Sequence, residues 1–500
     1  MSNIRVTYTG LISLITGLIS LVIGLIVILI ITRGLTPEEF GTWRLIINLI
    51  IYVNYILPIV TYWVTREVAR GIESGKTAIL SSGLFSCIGI SLYLIIIYSL
   101  SDQLDADREI LLSAFILIPM IFLNNVLVAI NYGWKPHAIS YGALLVETIK
   151  IPLLLIAIYW FEMGVLGVIY AFTLSYIPSI ILLLIFGKEK IKDEIRISYI
   201  KKWFKFSWLP SYPSIGSILA ASDVVIFSII TGSVLGLTFY GTAVIISKFC
   251  GNASSISTAV YPKLLEGKEI ESIIQNNVLL LSFVAIPLAT ISIFFAKPGA
   301  YAINPLYVDV YPAIIFMTFR TLLFTFTVPF AQFLTGSEKV DTNENASFKD
   351  YVKSKLFTVF SIRVIQYSLY LISLTIVLLI FSSSSTDIEL VVYWSIIWLV
   401  IEIPFSIYFY ILIKKNFKFQ FKIKPTIKYI FASITTIGFS YFLSLEFLEF
   451  NPSLMHFAPN LILFIALGIF GYLVLTYFID DKTKKLFNSI ISEIKPKNNN

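Results

Sequence analysis

Long apolar runs alternate with short polar gaps along the whole chain. A helix needs about 20 consecutive apolar residues to cross roughly 30 Å of hydrocarbon, and fourteen segments have that length. Their approximate bounds are 10–32, 44–65, 78–100, 109–131, 138–160, 163–186, 206–230, 239–261, 276–296, 311–334, 355–381, 389–413, 427–447 and 457–479. The pattern predicts an all-α polytopic membrane protein with about fourteen transmembrane helices.

Lys and Arg fall mainly into every second gap between these segments. Of the 37 basic residues, 29 lie in the N-terminal segment, the even-numbered gaps and the tail, 4 in the odd-numbered gaps and 4 within spans, when residues at the very ends of spans are counted with the gaps. Cytoplasmic loops of membrane proteins carry this excess of basic residues. Both termini are therefore predicted to be cytoplasmic, in a multi-pass protein of the cell membrane.

Composition narrows the possible functions further. The two cysteines, Cys87 and Cys250, both lie in apolar segments, so neither a disulfide framework nor a metal-ligand spacing is predicted. The net charge of +7 fits loop topology and attraction to anionic headgroups rather than nucleic-acid binding. No gap exceeds about 20 residues, too few for a nucleotide-binding domain or a large external catalytic domain. No cofactor is predicted.

The chain repeats short motifs in its two halves. Residues 40–42 read FGT and residues 240–242 read YGT, in the loop after the first span of each half. Residues 132–135 read YGWK and residues 335–339 read TGSEK, after the fourth and tenth spans. Six spans separate each pair, so the halves share one orientation, as in transporters with parallel repeats. The predicted domains are an N-lobe over 1–187, a basic cytoplasmic linker over 188–205, a C-lobe over 206–413, two further helices over 414–479 and a cytoplasmic tail over 480–500.

The loop 35–41, which reads LTPEEFG, carries a helix-start signal. Thr36 followed by Glu39 fits a capping box, in which each residue bonds the backbone N–H of the other. Pro37 stands at the first helical position, where its missing N–H is not needed. A short external helix is expected here, leading into the second span.

Seven charged residues lie well inside the predicted spans, away from their ends. Placing such a group near the bilayer centre costs at least about 2.5–3.5 kcal/mol, so those that remain usually face a cavity or a partner. The seven are Glu147, Lys150, Asp223, Lys248, Arg320, Arg363 and Glu402. They predict a hydrated, charged interior.

Structural explanations stay open for several of these residues. Glu147 and Lys150 are three positions apart on one helix face and can neutralise each other. Arg363 lies near the cytoplasmic end of its helix and can extend to the interface. Asp223 and Lys248 stand on consecutive helices and can form a pair.

Arg320 has no partner close by in the sequence and is expected to face the cavity. Arg320 and Lys248 are therefore the preferred candidates for holding an anion.

The fourteen spans, the duplicated lobes and the LTPEEFG loop together resemble the polysaccharide-export branch of the MOP exporter superfamily. Its members include O-antigen flippases of the Wzx type, the lipid II flippase and, more distantly, the MATE drug exporters. Asp223 in the seventh span, followed by Gly236, Tyr240 and Gly241, also fills positions typical of that branch.

The resemblance implies a flippase that moves an oligosaccharide on a polyprenyl phosphate or diphosphate to the outer face by alternating access of two lobes. It implies a cavity lined by helices one, two, seven and eight, where Lys248 and, at the inner end of span two, Arg66 meet the headgroup. The full candidate set for substrate binding is Lys248, Arg320, Asp223, Arg66, Arg363, Glu147, Lys150 and Glu402. The bilayer, the lipid-linked oligosaccharide and glycan-assembly proteins are the expected partners. Coupling to a proton or sodium ion at Asp223 stays open.

Two other functions remain as alternatives. A MATE-like cation-coupled drug or metabolite antiporter would usually have twelve spans and a carboxylate in the first, whereas residues 10–32 contain no ionisable group. A membrane glycosyltransferase or polymerase would need catalytic external carboxylates, and the only candidate gap, Asp102 to Glu109, is short. The sequence therefore favours a transporter over an enzyme.

Overall fold

The computed structural model describes residues 23–484 except 101–102, 104–105, 193, 206, 255–269, 337–347, 418–419 and 482, and this part of the chain is helical and contains no strand. The helices of the first half are α1 Ile23–Gly34, α2 Pro37–Asn54, α3 Pro58–Ala69, α4 Gly75–Leu100, α5 Arg108–Ser113, α6 Leu117–Trp134, α7 His137–Leu154, α8 Gly164–Gly187, α9 Ile197–Lys205 and α10 Trp208–Thr231. Those that follow are α11 Leu235–Gly251, α12 Ile270–Phe294, α13 Ala296–Ile303, α14 Tyr311–Gly336, α15 Phe348–Val352, α16 Lys355–Phe381, α17 Asp387–Asn416, α18 Ile423–Phe447 and α19 Leu454–Ile479.

The predicted fold class is confirmed, but the exact number of fourteen spans is not. Within the described residues, eleven helical segments are long and apolar enough to cross a membrane, and α2 with α3 makes a twelfth. Of the first predicted span only α1 is described, and its earlier part lies outside the described residues. At the eighth predicted span, 239–261, α11 ends at Gly251 after 17 residues, and residues 255–261 of that span lie outside the described residues.

The predicted capping box is present at the start of α2. The Glu39 backbone N–H donates to Thr36 Oγ1 at 3.2 Å, and the Thr36 N–H donates to Glu39 Oε2 at 2.9 Å. The helix is not short, however: it continues for 18 residues. It breaks before Pro58, which has no N–H to offer the carbonyl four residues back, and α3 continues at 58° to α2. The second span is therefore a bent pair that begins at the cap.

The chain packs into two compact units. Unit 1 comprises residues 1–241 and 371–387. In it α6 packs against α3, α4 and α8. A Cβ at Gly133 would lie 2.6 Å from the Thr65 carbonyl oxygen, so only glycine permits this approach of α6 to α3. Asn131 Nδ2 donates to the Leu183 carbonyl at 3.0 Å and so joins α6 to α8. Small residues and amide side chains thus hold these apolar helices together.

The glycines of both copies of the repeated tripeptide, Gly41 and Gly241, lie where α2 meets the start of α11, within unit 1. A Cβ at Gly41 would overlap the carbonyl oxygen of Val234, and one at Gly241 would lie 2.9 Å from Arg44 Nε. Thr238 Oγ1 donates to the Pro37 carbonyl across the same contact. The repeated glycines therefore mark a close approach between equivalent parts of the two halves.

Unit 2 comprises residues 242–370 and 388–500. One apolar cluster in it is formed by α12, α14, α16 and α17, with Ile274, Val278, Phe330, Phe333, Val359, Phe409 and Ile413 buried. The last two helices pack on α12: the Tyr472 hydroxyl donates to the Phe283 carbonyl at 2.7 Å, and the rings of Phe295 and Tyr441 lie 5.5 Å apart. The two C-terminal helices are therefore integral to unit 2.

Candidate functional site

Glu402 is the centre of a charged cluster inside unit 2. Its side chain on α17 is fully buried. Arg320 Nε of α14 lies 3.5 Å from one carboxylate oxygen, and Arg363 Nη1 of α16 lies 3.6 Å from the other. Three helices therefore each contribute one charge to a single site.

Hydrogen bonds fix the carboxylate. Gln366 Nε2 donates to Glu402 Oε2 at 2.9 Å, and Arg363 Nη1 donates to Gln366 Oε1 at 2.7 Å. On the other oxygen, the Ser406 hydroxyl donates to Glu402 Oε1 at 3.3 Å. Because a buried charge is tolerated only when it is paired and hydrogen-bonded, this network explains why Glu402 can remain in an apolar helix.

Aromatic rings cover the two guanidinium groups. The Arg320 guanidinium lies 4.2 Å from the centre of the Trp398 ring and 4.6 Å from that of Phe324. The Arg363 guanidinium lies 5.0 Å from the centre of the Phe324 ring and 4.7 Å from that of Phe409. Phe324 is thus shared between both cations. Such contacts are worth about 2 kcal/mol when desolvated, so the rings help to hold the cations away from water.

The cluster lies well inside its helices and carries an excess positive charge. At 1.5 Å per residue, Arg320 is roughly 14 Å from the start of α14, and Glu402 is roughly 22 Å from the start of α17. Two arginines and one carboxylate leave a formal charge of +1. The arginine side chains keep 16% and 12% of their surface exposed, whereas Glu402 keeps none. Some surface of each arginine side chain is therefore accessible, whereas the carboxylate is enclosed.

This geometry gives Arg320 and Arg363 a common partner. Arg320 has no partner close by in the sequence, and Glu402 lies 82 residues further along the chain. Extension to the interface was one alternative for Arg363, and in the structure its guanidinium lies against Gln366 and Glu402. Local sequence patterns do not show partners on other helices, which is why Gln366, Ser406 and the aromatic rings were also missed.

Glu147 and Lys150 neutralise each other in unit 1. Lys150 Nζ lies 2.7 Å from Glu147 Oε1, and Lys150 is 7% exposed. Its ammonium also lies 4.5 Å from the centre of the Phe172 ring. The structural explanation weighed for this pair, that spacing on one helix face allows neutralisation, is the arrangement observed.

Asp223 takes part in a second polar group in unit 1. The Tyr240 hydroxyl donates to Asp223 Oδ2 at 3.0 Å, and Arg44 is close enough to interact electrostatically with both. Arg44 was not among the predicted site residues, because it is the first residue of the second predicted span and was grouped with the loop charges. The sequence signal that could have indicated a role for Arg44 is its position one helical turn after Gly41 of the repeated tripeptide. The pairing of Asp223 with Lys248 stays a prediction.

The two remaining candidates are Lys248 and Arg66. Lys248 is exposed in the last turn of α11. The Arg66 guanidinium, near the end of α3, lies 4.1 Å from the centre of the Tyr62 ring one turn earlier. Both are accessible cations, as contact with a headgroup would require.

Comparison with known proteins finds a curated protein of similar sequence and solved structures of the same fold. No family model matches the chain. A putative O-antigen transporter of Shigella flexneri is 25% identical over 301 residues, which are 53% of this chain and 69% of that protein. The lipid II flippase MurJ in an inward closed conformation has the same fold, with a TM-score of 0.67 at 15% identity over 94% of this chain and 99% of that one. The fold is also similar to that of an inward-facing multidrug resistance MATE family transporter of the MOP superfamily. The TM-score is 0.56, at 16% identity over 79% of this chain and 95% of that one.

The helical fold and the many apolar helices define a multi-pass membrane protein. The chain is similar in sequence to a putative O-antigen transporter, and its fold is like those of MurJ and a MATE family transporter.

Proposed function

We propose that the protein is a flippase, which moves a polyprenyl phosphate- or diphosphate-linked oligosaccharide across the cytoplasmic membrane for polysaccharide or glycan biosynthesis. The observation that carries this proposal is the alignment of more than half of the chain with a putative O-antigen transporter. The fold shared with a lipid II flippase over nearly the whole chain supports it. In this proposal the protein carries its substrate without chemical change and is not an enzyme.

The charge of the buried cluster suits an anionic headgroup. Moving a phosphate through hydrocarbon is prohibitively expensive unless the path is hydrated and cationic. Arg320 and Arg363 together outweigh Glu402, while the paired Glu147 and Lys150 add no net charge. We assign the headgroup contacts to the arginines of the cluster, with Lys248 and Arg66 as further cationic contacts along the path.

The proposed topology follows the charge pattern. Both termini lie in the cytoplasm, so α9 and the rest of the basic linker 188–205 lie at the inner face. The lobes 1–187 and 206–413 alternate in access to the two sides, and glycan-assembly proteins act before and after the flippase. Asp223, bonded to Tyr240 and close to Arg44, is the proposed site for coupling to a proton or sodium ion.

The test is the fate of radiolabelled lipid-linked oligosaccharide in the host after depletion of this protein. Inner-face accumulation that the wild-type chain relieves is expected. Lys248→Ala is expected not to relieve it, whereas Lys415→Ala, which removes an equally exposed lysine from the last turn of α17, is expected to relieve it fully. Normal translocation without the protein would contradict the proposal and favour drug export. Full rescue by Lys248→Ala would remove only the assignment of Lys248.

A further inference from the structure

The short helix α9 has two chemically distinct sides. Consecutive residues of an α-helix are turned by about 100°, which places its apolar and aromatic side chains in one continuous arc: Tyr199, Trp203, Ile200, Phe204 and Ile197. The opposite arc carries Lys201, Lys205, Ser198 and Lys202. No acidic residue occurs between 197 and 205. This is the pattern of a helix that lies in the plane of a membrane surface.

The protein covers only one half of the apolar arc. Trp203 is 1% exposed, and its Nε1 donates to Glu67 Oε2 at 3.2 Å. Lys202 Nζ lies 3.2 Å from the other oxygen of the same carboxylate, and Glu67 is itself buried in α3. These contacts fix the rotation of α9 about its own axis against α3.

The other half of the apolar arc is uncovered. Phe204 is 50% exposed and Ile197 is 63% exposed, although one face of the Phe204 ring stacks on Phe85 of α4 with centroids 5.5 Å apart. Lys201 and Lys205 are exposed and directly follow this uncovered strip around the helix. Around the circumference of α9, the side that packs against the protein is therefore followed by exposed apolar side chains and then by lysines.

The neighbouring helices place α9 at the end of the membrane-crossing segments. It connects α8 with α10, and both of these are candidate membrane spans. An apolar strip beside lysines at that level matches the boundary between acyl chains and headgroups, where lysine stems lie along apolar surface and their ammonium groups reach the phosphates.

We propose that α9 binds anionic phospholipid headgroups through Lys201 and Lys205, with Phe204 and Ile197 inserted at the acyl boundary. The occupant is a phospholipid because a soluble anion would not require the exposed apolar strip. The binding surface does not depend on the identity of the transported substrate, so it stands or falls separately from the proposed flippase activity.

The first test is retention of phosphatidylglycerol by the purified full chain in detergent, titrated by native mass spectrometry. The variant Lys201→Gln/Lys205→Gln is expected to lower the apparent affinity about 25-fold, since each basic residue near an anionic surface contributes about five-fold. The matched control, Lys414→Gln/Lys415→Gln, removes the same charge from exposed lysines at the end of α17 and is expected to change it much less. Equal losses in both variants, or no loss in either, would overturn the proposal.

The second test measures how deeply α9 lies in the bilayer, and not its affinity for lipid. A nitroxide at Ile197→Cys, with Cys87 and Cys250 replaced by Ala, is examined in bilayers that contain phosphatidylglycerol. The label is expected to collide more with oxygen than with a water-soluble nickel chelate, because oxygen concentrates among acyl chains. Accessibility to the chelate equal to that of a label in an aqueous loop would show that the apolar strip faces water and would refute the assignment.

Discussion

Replacing Glu402 by Gln tests whether its negative charge stabilises unit 2. The substitution keeps the size of the side chain and part of its hydrogen bonding to Gln366 and Ser406, but it removes the negative charge shared by Arg320 and Arg363. The two guanidinium groups would then remain among apolar helices without a counter-charge. Unit 2 is therefore expected to lose stability.

The size of the effect follows from the distances. At 3.5 and 3.6 Å, and with an effective dielectric constant of about 20, each arginine attracts the carboxylate by about 5 kcal/mol. Desolvation offsets much of this attraction, and breaking a buried pair by removing one partner typically costs about 3–5 kcal/mol. We expect the low end, about 3 kcal/mol, because Gln retains some hydrogen bonds. For a unit of this size the unfolding midpoint should fall by about 6–12 °C.

The assay is thermal unfolding in detergent at a fixed scan rate, followed by tryptophan fluorescence, because Trp398 lies directly against Arg320. Glu389→Gln, on the exposed first turn of the same helix, is the control and should shift the midpoint by no more than about 2 °C. The double variant Glu402→Gln/Arg320→Gln restores the formal charge of +1. Its loss of stability should be about 2 kcal/mol smaller than the sum of the losses in the two single variants. Simple additivity, or an unchanged midpoint in Glu402→Gln, would refute the reasoning.

Three further substitutions test other contacts by the same unfolding measurement. Glu147→Gln leaves the buried Lys150 ammonium without its carboxylate and should lower stability by about 1–3 kcal/mol; a change within error would show that the pair is not maintained. Gly41→Ala should destabilise by about 1–3 kcal/mol because its Cβ meets backbone, whereas Gly83→Ala, with open space around it, should not; equal effects would contradict the close approach. Thr36→Ala removes the cap of α2 and should cost about 1 kcal/mol, and restoration by Thr36→Ser would assign the loss to the hydroxyl.

Features determined by nearby residues could be predicted from the sequence. The capping box needs only Thr36 and Glu39, three positions apart, and the pair of Glu147 and Lys150 needs only one helix turn. Most spans were found for the same reason, since each is a continuous apolar run. The break in the second span was missed because the apolar run continues through Pro58 and hides the bend.

The cluster around Glu402 could not be predicted in the same way. Its three charges come from three helices, and which helix faces meet depends on how apolar surfaces pack rather than on any local spacing. The repeated glycines were visible as a pattern, but their role required knowing that Gly41 meets the backbone of Val234. The position of these charges inside apolar runs marked the residues as unusual, and only the packing of helices showed which of them are partners.

The order of residues in the Glu402 cluster has a consequence for biogenesis. Synthesis runs from the N-terminus, so Arg320 and Arg363 leave the ribosome 82 and 39 residues before their shared carboxylate. At about 5–20 residues per second, Arg320 waits roughly 4–16 s for Glu402. Until Glu402 arrives, each guanidinium group lacks this counter-charge in an apolar helix, at a cost of at least about 2.5 kcal/mol. The helices that carry them must therefore stay near the insertion machinery until α17 arrives, and a chain truncated before residue 387 is expected to be cleared by membrane quality control.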